Sequence, residues 1–218
     1  MEGNVGVEVT GKGIVKVQPD TLTLTFNVQE RAATTKEAQT KIDTISEKFM
    51  LTTQELGVEK RSIQTSNYSV HPNYHWDNET NKQTIDGYNA SQTIVITLNG
   101  SGFVELGQQV LSVAPNVGNI SINGSSFSVT DKSKGEQEAR TLAVQHAYLK
   151  AQQLAKVAKA KLGKPVRISE TVSVGGFYPT YANAKVMNDA VAEREETATL
   201  EMGENEISVN VNITYAIK

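Results

Sequence analysis

Two histidines in the first half of the chain, His71 and His75, are the first candidates for chemistry, and Asp77 follows them closely. Imidazole and carboxylate groups are common zinc ligands, so these side chains could hold an ion if the segment turned sharply. On an extended strand, however, residues four positions apart are separated by about 13 Å, which is too far for one ion. We therefore interpret the segment as a polar hairpin tip and expect no metal ligand.

The other candidates for catalysis lack the partners that their chemistry needs. His146 falls on a predicted helix with no serine or carboxylate placed beside it, and no Gly-x-Ser-x-Gly nucleophile elbow occurs. Gly11-Lys12-Gly13 precedes no helix, so it lacks the cup of backbone N–H groups that holds a phosphate. The absence of cysteine excludes thiolate catalysis, disulfides and Cys-ligated zinc. We expect no enzyme activity, no catalytic or cofactor-binding residue and no cofactor.

The charge of the chain argues against a nucleic-acid partner. The 218 residues include 21 basic and 24 acidic side chains, for a net charge of −3, which gives no general attraction to a polyanion. Lysines crowd the end of the second predicted long helix, where cations favour the helix dipole: Lys150, Lys156, Lys159, Lys161 and Lys164. No aromatic stacking platform accompanies these lysines. No apolar run approaches the ~20 residues of a membrane helix, so we predict no transmembrane segment.

A strand–helix–strand–strand pattern occurs twice along the chain. Before the first copy, apolar residues alternate over 5–17, which predicts a strand bent or bulged at Gly11 and Gly13. The first copy opens with a second alternating run, Leu22 to Val28, which predicts a strand with one polar and one buried face.

The first predicted helix has clear signals at both ends. Thr34 and Glu37 form a capping box, and Leu56-Gly57 is a helix stop. The two strands that follow form a long hairpin, for which we predict a polar tip over 75–86. Its first strand is expected at a sheet edge, because Pro72 has no N–H to donate to a ladder.

A connector over 100–118 separates the two copies. It contains a predicted short helix, Phe103–Val113, that Pro115 ends. The next strand runs from Ile120 to Val129, and its side-chain alternation slips at Asn123-Gly124-Ser125. One inserted bulge residue would produce that slip.

The second long helix differs from the first in having small residues on one face. Ser133 and Glu136 predict its capping box, and Leu162-Gly163 with Pro165 predicts its end. Its stripe is mostly alanine, which permits close approach to a sheet: Ala139, Ala143, Ala147, Ala151, Leu154, Ala158 and Leu162. Two strands follow, and the segment between them over 175–206 is interpreted as a mobile arm or hairpin tip. Its acidic stretch lacks the spaced oxygen ligands of a calcium loop: Glu193, Glu195, Glu196, Glu201, Glu204 and Glu206.

These elements predict an α+β fold in which two βαββ-like repeats form antiparallel sheets and the two long helices pack on their faces. We assign residues 1–218 to a single domain, with the first repeat over 21–99, the connector over 100–118 and the second repeat over 120–217. Exposed strand edges and the long tips would suit self-association.

The opening Val9-Thr10-Gly11-Lys12-Gly13, followed by Pro19-Asp20, resembles the start of the SIMPL-domain family. Further stretches agree with the family in order along nearly the whole chain: Glu37-Ala38, Leu56-Gly57, Ile63-Gln64-Thr65, Pro72-Asn73-Tyr74, Gly87-Tyr88-Asn89-Ala90-Ser91, Phe127, Asp131, Glu138-Ala139-Arg140 and Gly203-Glu204. The chain departs from the family in a longer polar segment over 76–84 and in the missing leader sequence before Met1.

The family includes bacterial periplasmic immunogenic proteins and proteins linked to oxidative-stress defence, and it offers no catalytic residues to carry across. The resemblance implies an extracytoplasmic protein, whether periplasmic, secreted or membrane-anchored, whose signal or anchor preceded Met1. It also implies a homo-oligomer acting in the envelope or in stress defence without enzyme activity, with an envelope protein or a peptide as a further partner.

Two other functions stay open from the sequence. One is a binding module that holds a peptide or a small apolar ligand between the sheets or on an exposed strand edge. The other is a hydrolase whose paired carboxylates are brought together only by the fold.

Overall fold

The computed structural model of the chain describes residues 6–77, 81–174 and 200–218. The described residues form seven strands and three α-helices. The strands are β1 (Gly6–Val17), β2 (Thr21–Ala32), β3 (Ile63–Asp77), β4 (Lys82–Asn99), β5 (Ile120–Ser128), β6 (Leu162–Val174) and β7 (Asn205–Ile217). The helices are α1 (Thr35–Glu55), α2 (Phe103–Val117) and α3 (Ser133–Val157), and a 3-10 turn (Lys60–Ser62) precedes β3.

The strands form two sheets, in the orders β3-β4-β2-β5 and β1-β7-β6, and every pair within them is antiparallel. Helix α1 packs on β2 and β4, and α3 packs on β1 and β7. The predicted α+β fold, with antiparallel sheets and long helices on their faces, is therefore confirmed.

The described chain divides into two compact units. The central unit contains 20–128 and 200–202, with the four-stranded sheet, α1 and α2. The terminal unit contains 6–19, 129–174 and 203–218, with the three-stranded sheet and α3. Strand β5, which the sequence assigned to the second repeat, pairs with β2 in the central sheet, and β1, which it assigned to neither repeat, pairs with β7.

The core of the central unit forms where the alternating residues of β2 and β4 meet the apolar stripes of α1 and α2. Leu24, Phe26 and Ile96 are fully buried there, and Phe26 meets Phe49 edge to face with ring centroids 4.9 Å apart. This explains why the period-2 pattern of β2 and the stripe of α1 were informative: both face one apolar interior.

The core of the terminal unit is built from small residues on one side. Helix α3 buries only glycine and alanine on the sheet: Gly135, Ala139, Ala143, Ala147, Ala151 and Ala155. Opposite them, the β1–β7 ladder runs without interruption from Gly6 to Val17, so the predicted bend or bulge at Gly11 and Gly13 is wrong.

The two glycines of β1 serve close approach of the helix. A Cβ built on Gly11 would lie 2.7 Å from the Ala147 backbone N and would overlap the Ala143 carbonyl oxygen. One built on Gly13 would lie 2.6 Å from the Ala143 backbone N. Real Cβ atoms do not approach a backbone that closely, so only glycine lets α3 sit at this depth.

Helices α1 and α3 end in the same hydrogen-bonding pattern on different residues. After α1, Gly57 adopts φ +105°, Gly57 N donates to Gln54 O and Val58 N donates to Thr53 O. After α3, Lys159 adopts φ +56°, and the equivalent donations run from Lys159 to Lys156 and from Ala160 to Ala155. The stop at Gly57 is confirmed. The stop predicted at Gly163 is wrong, because the chain turns at Lys159 and has entered β6 by Leu162.

Of three other helix termini, one was predicted correctly and two were not. Thr34 is the N-cap of α1 and its hydroxyl accepts from the Glu37 N–H at 3.2 Å, as predicted. The capping box predicted at Ser133 is wrong: Ser133 is already helical, and Asp131 accepts from its backbone N–H at 2.9 Å. Pro115 does not end α2, which runs to Val117, because a proline in the last turn removes only one backbone hydrogen bond.

The paired strands of the β3–β4 hairpin are longer than predicted. Pairing continues to Asp77 opposite Lys82, so most of the predicted polar tip over 75–86 is strand. Strand β3 lies at the sheet edge, as Pro72 indicated. In β5, Thr25 of β2 pairs with Gly124 and Phe26 with Ile122, which makes Asn123 the predicted bulge residue. Most of the predicted arm over 175–206 lies outside the described residues, but Asn205 and Glu206 already belong to β7.

Candidate assembly surface

Helix α3 makes different contacts with the two edge strands of the terminal sheet, β1 and β6. At the β1 edge, the Lys150 Nζ donates to the Thr10 carbonyl at 2.8 Å. The Nδ1 of His146 lies 3.1 Å from both the backbone N and the backbone O of Lys12. If Nδ1 carries no proton it accepts from the Lys12 N–H, and if it carries one it donates to the Lys12 carbonyl. Two side chains of α3 therefore occupy edge groups of β1 that another strand would need.

Helix α3 reaches the β1 edge because Gly11 and Gly13 leave room for its backbone to pack closely on that strand. Val9, Gly11 and Gly13 stand opposite Ile213, Val211 and Val209 of β7, and α3 covers both rows. The third row belongs to β6, where Ile168, Glu170 and Val172 pair with those same β7 residues and so point to the same face. Ile168 is 60% exposed and Val172 39% exposed, because the helix does not extend over them.

The flank of α3 that faces β6 is also apolar. Arg140, Val144 and Tyr148 are spaced four residues apart, so they share one side of the helix. Val144 and Tyr148 are exposed. Val144 and Tyr148 on the helix, and Ile168 and Val172 on β6, are therefore the exposed apolar residues on the two sides of the space between α3 and the edge of the sheet. We call this surface the β6 groove.

One ion pair crosses the β6 groove. The Arg140 Nε lies 2.8 and 3.0 Å from the two carboxylate oxygens of Glu170, and the Arg140 Nη2 lies 2.8 Å from one of them. The hydrogen bonds from Arg140 lower the pKa of Glu170, while partial desolvation opposes that shift. The same carboxylate raises the pKa of Arg140. The single charge of β6 on this face is thus matched inside the chain.

At the far end of the β6 groove, Tyr148 also contacts the sheet. Its ring lies 6.2 Å from that of Tyr215, the last buried residue of β7 on this face. Burial raises the pKa of Tyr215, and the neighbouring Tyr148 adds to the shift. The Tyr215 phenol therefore stays neutral at ordinary pH.

The outer edge of β6 is irregular only at its beginning. Register shifts fall between Leu162 and Arg167, around Pro165, and the ladder is then regular from Ile168 to Val174. In the part of the chain that the structure describes, no side chain bonds to the outer backbone groups of that regular run. An unpaired, regular strand with apolar neighbours is a template for another strand.

The two edges of the central sheet are protected by bulges. Strand β3 carries register shifts at Ser66–Tyr68 and at Pro72–Tyr74, and β5 carries the bulge at Asn123. Bulges bend an edge and interrupt the row of hydrogen-bonding groups, so neither strand offers a long straight template. The regular run of β6 therefore stands apart from the other described edges.

A second exposed apolar surface lies on the hairpin of the central unit. Strand β2 ends at Ala32, opposite Tyr88, so β3 and β4 continue beyond it as a two-stranded ribbon. Tyr74, Trp76 and Ile85 on this ribbon are each more than half exposed. Tyr and Trp are typical anchors of protein interfaces, so the ribbon is a further candidate contact surface.

The candidate residues for metal binding and catalysis do not come together in the structure. His71 and His75 lie along β3, opposite Asn89 and Thr84, with a bulge between them. Among the described residues, no three His, Asp or Glu side chains are grouped as metal ligands would be. His146 is bound to the β1 edge, and no carboxylate is among the buried residues that the structure describes.

Three members of the predicted charge clusters have a local structural role. Lys150 binds the β1 edge, Lys159 forms the turn after α3, and Glu204 pairs with Lys16 at 3.0 Å. The acidic residues over 193–199 lie outside the described residues. A concave surface of about 520 Å³ beside the start of α1 is lined by exposed Lys36, Glu37 and Lys41, together with Thr40, and no buried group points into it.

Sequence reasoning missed the β6 groove. It predicted a strand after the second long helix, but period-2 alternation indicates one buried face, and in β6 that face is open. The signal that could have revealed it was the pairing of the alanine stripe with Gly11 and Gly13. A helix that is sunk onto one strand cannot also cover the opposite edge of the sheet.

Comparison with known proteins gives a consistent result. The model of the SIMPL family, described as a protein of unknown function (DUF541), matches residues 7–215. The 26 kDa periplasmic immunogenic proteins of Brucella melitensis biotype 1 and of Brucella abortus (strain S19) are each 28% identical over 216 residues. That alignment covers 97% of this chain and 84% of each relative. No helix among the described residues is long and apolar enough to cross a bilayer.

Proposed function

Because the chain belongs to the SIMPL family, and because relatives similar over most of their length are named as periplasmic, we propose that it acts outside the cytoplasm. The absence of cysteine is compatible with an oxidising compartment, since no free thiol needs protection there. Fractionation of cells that express the natural reading frame tests the location. We expect the protein among the periplasmic, secreted or membrane-associated fractions, and its retention with cytoplasmic markers would contradict the proposal.

Within that compartment, the protein acts as a homo-oligomer of the envelope or of stress defence, without enzyme activity. The observation that carries the assembly is the β6 groove, in which a strand edge that no other described residue covers lies beside exposed Val144, Tyr148, Ile168 and Val172. Soluble proteins blunt such edges unless a partner covers them. The exposed aromatic ribbon of the central unit supports the same conclusion, because it offers a second contact surface for a larger assembly.

Gel filtration coupled to light scattering tests the assembly directly. We expect a mass that is a multiple of 23.7 kDa, and an equilibrium that shifts towards smaller species on dilution. A mass of one chain at every concentration up to the millimolar range would refute the assembly, whatever the location of the protein.

The lack of enzyme activity is supported by what the described residues do with their polar groups. The buried polar side chains are Thr21, Ser46, Thr53, Gln92 and Asn205, none of which is an acid or a base at neutral pH. Ser46 and Gln92 bond to each other at 2.6 Å beneath α1, so they are satisfied structurally. A hydrolase with paired carboxylates would be revived by turnover of ester, peptide or glycoside probes that survives repurification of the protein.

A peptide-binding module is the second candidate, and the same regular edge of β6 favours it. An extended peptide could add a strand to Ile168–Val174 and place alternate side chains in the β6 groove. Thermal-shift screening against apolar peptides of about seven residues would detect this function as stabilisation that saturates with peptide. A Val172→Lys variant should lose the effect if the peptide binds at this edge.

A further inference from the structure

We propose that two copies of this chain pair along β6, antiparallel, about a two-fold axis at Thr171, and so join their terminal sheets into one sheet of six strands. This inference rests on the proposed homo-oligomeric function and names the surface and register that it uses. It follows from the extent of the regular ladder, from the distribution of charge along it, and from the state of the other strand edges.

The regular ladder fixes the centre of the pairing. The run from Ile168 to Val174 is free of bulges, and Thr171 is its middle residue. With Thr171 on the axis, every residue of the run has a partner within the same run of the second copy. Ile168 then stands opposite Val174 of the other copy, and Ser169 opposite Ser173. Moving the axis towards the N-terminus of β6 would draw the bulged segment around Pro165 into the new ladder.

The charges along β6 favour the same register. Glu170 is the only charged residue of the run, and Thr171 on the axis places it opposite Val172 of the second copy. An axis at Glu170 would set two carboxylates directly opposite each other, which destabilises a sheet. Because Arg140 already holds each Glu170, neither copy has to bury an unmatched charge on association.

The side chains of the two copies also meet on the correct faces. A two-fold axis perpendicular to the sheet keeps both α3 helices on one side and both polar faces on the other. Opposing residues must then share the same parity, as they do when Thr171 pairs with itself. Ile168 and Val172 of one copy become diagonal neighbours of Val172 in the other, within reach of apolar contact.

Pairing at β6 gives a closed dimer in preference to an open fibre. The opposite edge of the terminal sheet is β1, where Lys150 and His146 occupy the backbone groups of Thr10 and Lys12. Among the residues that the structure describes, each copy therefore offers one free edge of this sheet, and an isologous contact between two copies occupies it. An extended peptide could occupy the same edge, but nothing in β6 selects a foreign sequence, whereas its own sequence matches itself in register.

Single cysteines test the register cleanly, because the natural chain has none. The side chains of Ser169, Thr171 and Ser173 lie on the polar face of β6, away from the groove, and all three are exposed. In a Thr171→Cys dimer the two Cα atoms lie about 4.5–5.5 Å apart, within the range of a disulfide. In a Ser169→Cys dimer they are separated by roughly four residues of strand, about 13 Å.

We expect mild oxidation to link Thr171→Cys into a covalent dimer on a non-reducing gel. Ser169→Cys and Ser173→Cys should each stay unlinked when oxidised alone, but an equimolar mixture of the two should form the mixed dimer. Equal linking at all three positions, or no linking of Thr171→Cys, would overturn the pairing.

Light scattering of the same reduced proteins separates this inference from the proposed function. If the proteins are oligomeric but Thr171→Cys does not link, the homo-oligomer stands and pairing along β6 is refuted. If they are monomeric at every concentration, both fail.

A charge substitution gives an independent measurement with a matched control. Val172→Lys places an ammonium on the floor of the β6 groove, whereas Leu142→Lys places one on the other flank of α3; the two native side chains are 39% and 41% exposed. We expect Val172→Lys to lower the measured mass by half and Leu142→Lys to leave it unchanged, with the same far-ultraviolet circular dichroism for both. Equal masses for the two variants would contradict the pairing.

Discussion

The two units of this chain cover their sheets by opposite means. In the central unit, α1 and α2 lie on one face of four strands, and large side chains fill the space between: Phe26, Phe49, Ile42, Leu24, Ile94 and Ile96 are fully buried. In the terminal unit, a single helix lies on three strands, and its buried positions are glycine and alanine. In the first arrangement all four strands contribute to the core, β3 and β5 through partly buried residues, whereas in the second the regular run of β6 does not contribute.

The difference shows that the depth of helix packing decides what remains exposed. Large residues keep a helix away from its sheet and spread its contacts over several strands. Gly11 and Gly13 let the backbone of α3 settle beside β1, where Lys150 and His146 also close the edge. The exposure of β6 is therefore a consequence of how closely α3 packs on β1.

The largest effect is expected from truncating the large-residue core. Phe26→Ala removes a fully buried ring that contacts Phe49 and leaves a cavity under α1, so we expect a loss of about 3–5 kcal/mol in the free energy of unfolding. Urea denaturation followed by circular dichroism measures it. Leu51→Ala, at an exposed position of α1, should cost less than about 0.5 kcal/mol. Similar losses for both variants would show that the central core is not where we place it.

The packing of α3 on β1, which depends on small residues, should be destabilised by the opposite change, the addition of side-chain atoms. Gly13→Val builds a side chain into the Ala139 carbonyl and the Ala143 backbone, neither of which can rotate away. We expect a loss of about 1–3 kcal/mol in the free energy of unfolding, at the scale of overpacked cores. Lys12→Ala, whose side chain points to the other face of β1, serves as the control. A Gly13→Val protein of unchanged stability would mean that α3 does not sit at this depth.

These two regions also show what sequence reasoning can and cannot predict. The cap at Thr34, the stop at Gly57 and the bulge at Asn123 were predicted correctly, because each depends on residues that are adjacent in the chain. The role of Gly11 and Gly13 was missed, because it depends on alanines more than a hundred residues away. The place of β5 in the central sheet was missed as well. The partner of a strand depends on the whole sheet, whereas side-chain alternation indicates only which face is buried.

The errors at α3 have a local cause as well. Ser133 and Gly163 carry strong cap signals, but Asp131 and Lys159 supply the termini instead. A lysine in the left-handed region is uncommon, so no pattern would favour it over a glycine four residues later. No catalytic or ligand-binding motif marks the β6 groove in the sequence, because the groove lies where α3 does not cover the strand.

Substitutions at the ends of α1 and α3 should change the stability of the protein in opposite directions. At Gly57 the backbone is left-handed and no atom lies within 4 Å of a built Cβ, so Gly57→Ala tests conformation alone and should cost about 1 kcal/mol of stability. At Lys159 the strained residue is already present, so Lys159→Gly should gain up to about 0.5–1 kcal/mol. Thermal unfolding of both variants measures the two shifts. Changes of the same sign would contradict the shared pattern of the helix ends.

The smallest effect concerns the ion pair across the β6 groove, and it is best seen as a dependence on pH. Arg140 lowers the pKa of Glu170 below its ordinary value of 4.5, so the pair stabilises the fold at neutral pH. Its contribution begins to be lost as the pH falls below 4.5 and is gone once the pH is below the lowered pKa of Glu170. We expect wild type to melt slightly above Glu170→Gln at pH 7, with the difference closing on acidification. Glu138→Gln, at an exposed position of α3, should show no such closing difference.

The same pair carries a local readout that sharpens the comparison of the two sheet edges. Helix α3 is held to β6 through this ion pair, and to β1 through close packing on Gly11 and Gly13 and through the Lys150 contact. Amide hydrogen exchange at pH 7, corrected for intrinsic rates, should therefore be faster in β6 of Glu170→Gln than in β6 of wild type, and β1 should exchange at the same rate in both proteins. Equal acceleration in both strands would mean that the helix, and not the ion pair, sets the stability of this edge.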